Sequence, residues 1–327
     1  MFKKELSCRV CHSGKLEYFQ FDHEVFNGKK IKNCKDYFCL KCKCISHFYE
    51  KKINLYKNYR YQGSYKINDK VISPPISLPW SDITFRRAKH IISLLKKNKI
   101  RFKKILDYGG YSGLTLNAIN QYSNCEGAVA DFNSRGLKFA KNLGFKIFNL
   151  KKKKISGFYD LILMSHVIEH LENPFNIISQ IKKNIRASGY LYIETPNMFA
   201  TPLYDPTHLS LLNLSALRCS LENENFSIID SGYTSTPSES LNYGYQFVSS
   251  KEVIYVLCKK KEKNNKTFFY DKFPINSIEL KKNLNLNYAK IIFSDIICYK
   301  LKNLKKNVYH FFGFIFVALV RVFFNKI

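Results

Sequence analysis

Short apolar runs that alternate with helix-forming segments are the feature that most constrains how this chain folds. The first run spans 104–108 and leads into a glycine-rich turn at 109–113, after which 114–122 has the composition of a helix. Further apolar runs follow at 127–130, 159–164 and 189–197. Strands that alternate with helices in this way predict an α/β domain built on a mostly parallel sheet.

The turn after the first strand is a candidate cofactor loop. Glycines at a strand-to-helix turn let the backbone approach a ligand closely, beside the N-terminus of the helix. The second strand ends at Asp131, roughly 20 residues further along, where an acid that accepts hydrogen bonds from a ribose belongs. The turn alone leaves a dinucleotide cofactor open, because it would use similar geometry.

Four segments, taken in order, carry a resemblance to a known family. The segments ILDYGGYSG, VADF, YDLILMSHVIEHLENP and SGYLYIETPN resemble the class I S-adenosylmethionine-dependent methyltransferases over about residues 82–260. The resemblance implies a Rossmann-like, seven-stranded sheet, closed by an antiparallel hairpin from the strands near 226–230 and 252–258. Relatives with a His-Val-Ile-Glu-His segment often modify small molecules, lipids or sugars, and some sugar methyltransferases carry an N-terminal zinc-binding domain.

The same resemblance implies S-adenosylmethionine as the cofactor and assigns the residues that hold it. These are Asp107, Gly109, Gly110 and Gly113 for the methionine portion, Asp131 for the ribose, Phe132 near the adenine, and Ser165 and His166 below the methyl group. This sequence departs from the family turn because Tyr111 stands at the middle glycine position. A side chain at that position is expected to crowd the methionine end of the cofactor.

Three histidines are the candidate catalytic residues. Methyl transfer needs an aligned acceptor and, for a hydroxyl acceptor, a group that removes a proton. His166 and His170 follow the fourth strand, and His208 lies in a Pro-containing loop after the fifth. On a helical turn, His166, Glu169 and His170 would share one face. Two readings stay open: these three residues and His208 bind a divalent metal, or His166 helps to form the cofactor pocket while Glu169 and His170 orient loops. His208 acting as a single general base fits both readings.

Two cysteine pairs near the N-terminus predict a metal site. Cys8 and Cys11 are separated by two residues, and so are Cys39 and Cys42. Such pairs suit a tetrahedral zinc ion, and four thiolates leave no open position for catalysis, so we predict a structural zinc site. Cys44 could replace Cys42 as the fourth ligand. A module this small has little core, so zinc would supply folding energy.

Charge and N-terminal composition constrain the partners and the compartment. The formal net charge is +28, and the lysines are spread along the whole chain. Attraction to an anionic partner and a low-GC codon bias explain this charge equally well. The N-terminus has no apolar stretch of signal-peptide length, and the many cysteines then indicate a reducing compartment. We therefore expect a cytoplasmic protein.

The chain divides into three predicted parts. These are a cysteine-rich zinc-binding module with its linker at 1–75, the methyltransferase domain at 76–260, and a basic helical extension at 261–327. Within the second part, Ser81 or Asp82 is predicted to cap one helix and Asn213 another. In the third, an apolar stretch at 308–320 is short for a transmembrane helix. It fits a helix lying on the inner face of an anionic membrane, or one packed against protein.

These observations lead to one predicted function and two alternatives. We expect a methyltransferase that acts on oxygen or carbon of a small, sugar-, lipid- or nucleotide-linked acceptor. The first alternative is an RNA methyltransferase that grips phosphates with the zinc module and basic surface. It is less favoured because the lysines are not focused on one region. The second is a non-catalytic, membrane-associated scaffold, to which Tyr111 is the only pointer in the sequence.

Overall fold

The computed structural model describes residues 6–19, 34–49, 65–67, 70–72, 78–199, 207–234, 253–261 and 270. Its strands are β1 (Leu16–Phe19), β2 (Cys34–Cys39), β3 (Ile45–Tyr49), β4 (Tyr65–Ile67), β5 (Lys70–Ile72), β6 (Lys104–Tyr108), β7 (Glu126–Asp131), β8 (Lys146–Asn149), β9 (Tyr159–Ser165), β10 (Ile185–Pro196), β11 (Ser210–Leu211), β12 (Phe226–Thr234) and β13 (Val253–Lys260). Its α-helices are α1 (Leu78–Lys97), α2 (Leu114–Asn120), α3 (Ser134–Asn142), α4 (Pro174–Ile181) and α5 (Leu214–Asn223).

A seven-stranded sheet in the order β12-β13-β10-β9-β6-β7-β8 forms the centre of the molecule. The five strands from β10 to β8 are parallel, whereas β13 runs antiparallel to both of its neighbours. Chain order reverses at β6, with β7 and β8 on one side and β9 and β10 on the other. In open α/β sheets, ligands bind outside the carboxyl ends of the strands at such a reversal.

Alternate residues of the strands face two separate apolar layers. On one face, Ile105 and Leu163 pack with Ile91 of α1 and Leu137 of α3. On the other face, strand residues such as Leu106 pack with residues of α4 and α5, including Ile178 and Leu217. Because side chains alternate across a strand, each buried strand serves both layers, and the result is a three-layer α/β/α arrangement.

The N-terminal cysteine-rich segment forms a second, antiparallel sheet of order β1-β2-β3-β11. Its last strand comes from far along the chain, since Ser210 pairs with Ser46 and Leu211 with Ile45. The cysteines also share an apolar cluster with Leu212 and Ala216 of the main domain. The module and the main domain are therefore joined by both backbone pairing and packing.

Several predictions about the fold are confirmed and others are corrected. The closing pair of strands is present, with β13 inserted between β10 and β12. Asn213 caps α5, because its side chain accepts a hydrogen bond from Ala216 N–H. The predicted start of α1 at Ser81 or Asp82 is wrong, since that helix begins at Leu78. The strand β8 was missed, because its four residues include a lysine and an asparagine. The C-terminal stretch at 308–320 lies outside the described residues.

Candidate active site

The turn after β6 has a conformation that depends on glycine. Gly109 has φ 76° and Gly113 has φ 72°, both in the left-handed region. The N–H of Gly109 donates to the carbonyl of Ala130, at 2.7 Å, which ties the turn to the end of β7. A methyl group on Gly109 would overlap Val167, which follows β9. The turn therefore packs closely against the segments that end its two neighbouring strands.

Tyr111 occupies its unusual position at φ 47°, which is uncommon for a residue with a side chain. Its N–H donates to Asp131 Oδ2 at 3.0 Å. Its ring lies against Gly136 of α3, where a methyl group would come within 2.7 Å of Tyr111 Cε2. The ring thus uses the space that a glycine leaves open on the neighbouring helix.

Two aspartates lie at the carboxyl ends of adjacent strands. Asp107 is buried, and this burial raises its pKa to about 7 against the opposing charge of Arg87. Asp131 accepts hydrogen bonds from Tyr111 N–H and, at 2.7 Å, from Asn133 N–H. Burial raises the pKa of Asp131, although these two N–H groups oppose the shift. The next residue, Phe132, is 50% exposed and offers an aromatic face beside the acid.

A buried network of charged and polar side chains joins α1 to β10 near Asp107. Arg87 of α1 forms an ion pair with the fully buried Glu194 of β10. Tyr192 Oη donates to the second oxygen of Glu194 at 2.7 Å. Burial would raise the pKa of Glu194, but the charge of Arg87 and the nearby His166 lower it overall. The carboxylate of Glu194 is therefore held ionised by its partners.

The residues after β9 face this network. His166 has φ 53°, and its N–H donates to the Glu194 carbonyl at 2.9 Å. Its Nδ1 lies 3.4 Å from Glu169 Oε1, and its Nε2 lies 3.7 Å from Glu194 Oε1. Ser165 Oγ is buried with no hydrogen-bond partner. The imidazole of His166 thus sits between two buried carboxylates, and a hydroxyl beside it is left for a ligand.

Glu169, His170 and His208 form a compact group at the end of β9. One ligand atom from each residue lies within 4.8 Å of the other two. The rings of His170 and His208 have centroids 4.7 Å apart. Burial alone would raise the pKa of Glu169, but a hydrogen bond from His166 and the charges of the histidines lower it to about 2. Glu169 is therefore an ionised carboxylate with imidazoles around it.

The structure brings most of the predicted site residues to one edge of the sheet. Asp131 and Ser165 end β7 and β9, and Asp107 is the next-to-last residue of β6 between them. The expected helical face of His166, Glu169 and His170 is wrong, because only Ile168–His170 form a short 3-10 turn and His166 precedes it. His208 joins the group from the loop before β11.

Four of the contributing residues were missed by sequence reasoning. Arg87, Tyr192, Glu194 and Thr195 line the buried network, and Thr195 Oγ1 donates to Glu169 Oε2 at 2.9 Å. Glu194 carried a usable signal, since an acid within an apolar strand needs a partner when buried. Arg87 carried none, because a basic residue on a helix is usually a solvated one.

The cysteines predicted to bind a metal lie together. The Sγ atoms of Cys8 and Cys42 are 3.5 Å apart, and those of Cys11 and Cys39 are also 3.5 Å apart. Cys44 is outside this group of four, and its Sγ lies 3.8 Å from the Cys42 carbonyl and 3.6 Å from Asn213 Nδ2. A tetrahedral Zn–S₄ site has sulfur–sulfur separations of about 3.8 Å, so the four clustered sulfurs fit that geometry.

The cysteine-rich module contacts the segment that carries His208. The N–H of His47 donates to the Leu209 carbonyl at 3.0 Å, next to His208. The side chain of Asn213 donates to the Cys42 carbonyl at 3.0 Å and to the Lys43 carbonyl at 3.2 Å. The loop between the fifth parallel strand and α5 is therefore held by the module on one side.

The central part of the chain is similar to a known protein family. A family model described as a methyltransferase domain matches residues 80–231. Residues 80–231 are therefore similar to methyltransferase domains. The match covers the glycine turn, both aspartates and the three candidate histidines, but less than half of the 327-residue chain. It does not reach the cysteine cluster.

Solved structures similar to the chain are also methyltransferases. An S-adenosylmethionine-dependent methyltransferase from Clostridium acetobutylicum is 11% identical, with a TM-score of 0.44 over 57% of this chain and 95% of that one. A S-adenosylmethionine-dependent methyltransferase from Archaeoglobus fulgidus is 21% identical, with a TM-score of 0.43 over 55% and 94%. The plantazolicin methyltransferase BamL, solved with a triazolic desmethylPZN analogue and SAH, is 15% identical, with a TM-score of 0.43 over 56% and 86%. No curated protein sequence matches the chain.

Among the residues that the structure describes, no helix is long and apolar enough to cross a bilayer. The apolar stretch at 308–320 falls outside them, so its predicted association with a membrane surface stays a prediction.

Proposed function

We propose that this chain is an S-adenosylmethionine-dependent methyltransferase that acts on oxygen or carbon of a small, sugar-, lipid- or nucleotide-linked acceptor. The observation that carries the proposal is the carboxyl edge of β7, β6 and β9. Asp131 and Ser165 end β7 and β9, and Asp107 is the next-to-last residue of β6 between them, beside the glycine turn and at the point where strand order reverses. The family match over residues 80–231 supports the same activity.

Unfilled polar groups at this edge fit the cofactor. Ser165 Oγ is buried without a hydrogen-bond partner, so a bound ligand would satisfy it. Asp131 accepts backbone N–H groups from Tyr111, Asn133 and Phe132, and its carboxylate offers about four lone-pair positions, so a ribose hydroxyl can be added. The exposed ring of Phe132 is placed to stack on an adenine. Because the Tyr111 ring packs on α3, it does not by itself argue against binding.

The cofactor supplies a methyl group already activated by a positive sulfur, so the protein has three tasks. It aligns the acceptor, excludes water and, for a hydroxyl, takes a proton. The candidate bases are His166, His170 and His208, which lie around Glu169. His170 Nδ1 lies 2.9 Å from the Thr207 carbonyl, which only accepts, so Nδ1 carries the hydrogen.

We also propose that Cys8, Cys11, Cys39 and Cys42 bind one structural zinc ion. The support is the mutual clustering of their sulfurs, as well as the small apolar core of the module. Metal analysis of the purified full chain should give one zinc per chain, and Cys8→Ser should lower that content. A content below about half an equivalent in folded protein would contradict the proposal.

Calorimetric titration of the full chain with S-adenosylmethionine and S-adenosylhomocysteine tests the proposed activity. We expect micromolar binding that Asp131→Ala weakens about tenfold or more, since hydrogen bonds to a charged group contribute about 1.5–3 kcal/mol. Asp131→Asn, which keeps one acceptor oxygen, should lose less. Glu126→Ala is the matched control, because this exposed acid begins the same strand β7.

The two alternatives predict different results in the same experiment. If folded, zinc-loaded protein bound neither compound, that result would contradict the methyltransferase proposal and favour the non-catalytic scaffold. RNA binding that falls steeply with salt, together with cofactor binding, would instead make RNA the acceptor. Binding of the cofactor without RNA binding would leave the small, sugar- or lipid-linked acceptors for screening.

A further inference from the structure

A second set of metal-ligating side chains lies apart from the cysteines. Glu169, His170 and His208 each place one ligand atom within 4.8 Å of the other two. Glu169 is buried and the two histidines are half-buried. One carboxylate with two imidazoles is a donor set that proteins use for zinc and for other first-row divalent metals at sites with open positions.

The backbone fixes these residues against each other, although they come from distant parts of the sequence. Glu169 and His170 belong to the 3-10 turn after β9. The N–H of Leu209 donates to the Glu169 carbonyl at 2.7 Å, which holds the neighbouring His208 beside the turn. The pairing of β11 with β3 holds the same segment from its other side. The cluster is therefore a consequence of the fold and not of side-chain rotation alone.

Two outer contacts orient the ligand atoms as metal sites require. His170 Nδ1 donates to the Thr207 carbonyl at 2.9 Å, so its hydrogen is on Nδ1. Thr195 Oγ1 donates to Glu169 Oε2 at 2.9 Å, and Glu169 Oε1 faces His166 Nδ1 at 3.4 Å. Metal-binding imidazoles and carboxylates commonly have such contacts from a backbone carbonyl or a hydroxyl.

The distances are compatible with a metal after a small adjustment. Ligands at zinc–nitrogen distances near 2.1 Å are about 3.3 Å apart in a tetrahedral site, so a separation of 4.8 Å requires a closure of roughly 1.5 Å at most. His166 is outside the set, because its ring nitrogens lie 3.4 and 3.7 Å from the Glu169 and Glu194 carboxylates. This differs from the four-residue set that the sequence left open.

The cluster lies beside the candidate cofactor turn. Val167, between Ser165 and the 3-10 turn, is in contact with the position of Gly109. Thr195, which holds Glu169, is near the carboxyl end of β10, the neighbour of β9. An acceptor bound at the cluster would therefore lie at the same edge of the sheet as the methyl donor.

We propose that Glu169, His170 and His208 bind one divalent transition-metal ion, and that its open position takes a hydroxyl group of the methyl acceptor. The second half rests on the proposed methyltransferase function; the first half does not. The hydroxyl loses its proton to water, its oxygen bonds to the methyl carbon, and the carbon–sulfur bond of the donor breaks. The products are a methyl ether and S-adenosylhomocysteine, with no change in the oxidation state of the metal.

Cobalt(II) titration of the full, zinc-loaded chain tests the metal site, with visible absorption and calorimetry as readouts. We expect one further equivalent to bind, with His208→Gln and Glu169→Gln weakening its affinity by at least about 100-fold. Thr195→Val should cost about 10–100-fold, as loss of an outer contact usually does. His12→Asn is the control, since His12 is exposed, has φ 56° that asparagine tolerates, and is not in the cluster.

Each outcome separates the metal site from the proposed function. Absence of cobalt binding to zinc-loaded wild-type protein, or unchanged binding by folded His208→Gln protein, would overturn the metal site. Circular dichroism and zinc content establish that each variant is folded. Cofactor titration is carried out on the same samples. Cobalt binding without cofactor binding would support the metal site and contradict the methyltransferase proposal. Cofactor binding without cobalt binding would contradict only the metal site.

Discussion

Replacing Gly136 with alanine tests how the chain accommodates Tyr111 in its cofactor turn. An added methyl group would lie 2.7 Å from Tyr111 Cε2 and 2.9 Å from the Tyr111 backbone carbon. Both distances are shorter than ordinary carbon contacts of about 3.5–4.0 Å. The ring must therefore move, and because Tyr111 N–H donates to Asp131, the turn is expected to move with it.

The size of the effect follows from these contacts. Overpacking by one methyl group costs about 1–3 kcal/mol. For a domain of this size, each kcal/mol lowers the melting temperature by about 2–4 °C, so Gly136→Ala should lower it by about 2–12 °C. Tyr111→Gly removes the ring and the strain of its positive φ, so Gly136→Ala should cost much less when it is added to Tyr111→Gly. A residual cost is expected, because the backbone contact remains.

The assay is a double-mutant cycle measured by urea unfolding and by calorimetric titration with S-adenosylhomocysteine. We expect a coupling energy of at least about 1 kcal/mol between the two positions, as for residues in contact. We also expect Tyr111→Gly alone to leave cofactor affinity within about threefold of wild type. Additive effects of the two substitutions would refute the packing of the ring on α3. Much tighter cofactor binding by Tyr111→Gly would show instead that the ring occupies the cofactor pocket.

Four further predictions follow from other contacts. Burial raises the pKa of Asp107 to about 7, so the folded chain holds this proton more tightly than the unfolded chain, and the contribution of Asp107 to stability falls as pH rises from about 4 to 7. In urea unfolding, the stability of Asp107→Asn should therefore rise by about 3 kcal/mol relative to wild type between pH 5 and pH 8. A stability difference that stays constant with pH would contradict this. Arg87→Met leaves the Glu194 carboxylate buried without its partner and should cost about 3–5 kcal/mol in the same assay, whereas adding Glu194→Gln should recover part of the loss. Asn213→Ser keeps the cap of α5 but loses the two hydrogen bonds to the Cys42 and Lys43 carbonyls. Thermal unfolding should therefore show stability lowered by about 1–3 kcal/mol, and a chelator should remove zinc faster. Unchanged zinc retention would argue against coupling between the module and the domain. A chain ending at Lys306 should lose membrane association in cell fractions, and equal association of the truncated and full chains would remove the membrane prediction.

The confirmed predictions about the fold rest on local sequence patterns. The run at 104–108 became β6, and the following glycines took the left-handed conformation that such a turn requires. The cap at Asn213 also formed as expected, because capping involves residues that are near in sequence. By contrast, β8 was missed, since a short strand with polar residues is defined by its pairing with β7 rather than by its composition.

The candidate site was only partly predictable for the same reason. Asp131 was predicted from its place at the end of an apolar run, and Asp107 and Ser165 from the resemblance to the class I methyltransferases; parallel strands bring all three to one edge of the sheet. Arg87 could not be predicted, because its partner Glu194 is distant in sequence and is reached only through the packing of α1 on the sheet. His166 does lie beside Glu169, but the helical backbone expected there is wrong, since His166 has a positive φ and precedes the short 3-10 turn.

The sequence by itself determined the order of the strands along the chain, the cofactor turn and the pairing of cysteines at close spacing. These depend on periodicity and on residues separated by a few positions, which a linear pattern records. Only the tertiary structure decided that β11 completes the sheet of the cysteine-rich module, that His208 lies against His170, and that Glu169 is a buried carboxylate among imidazoles. Those contacts join segments far apart in the chain, and burial, which sets their charges and energies, exists only once the layers have packed.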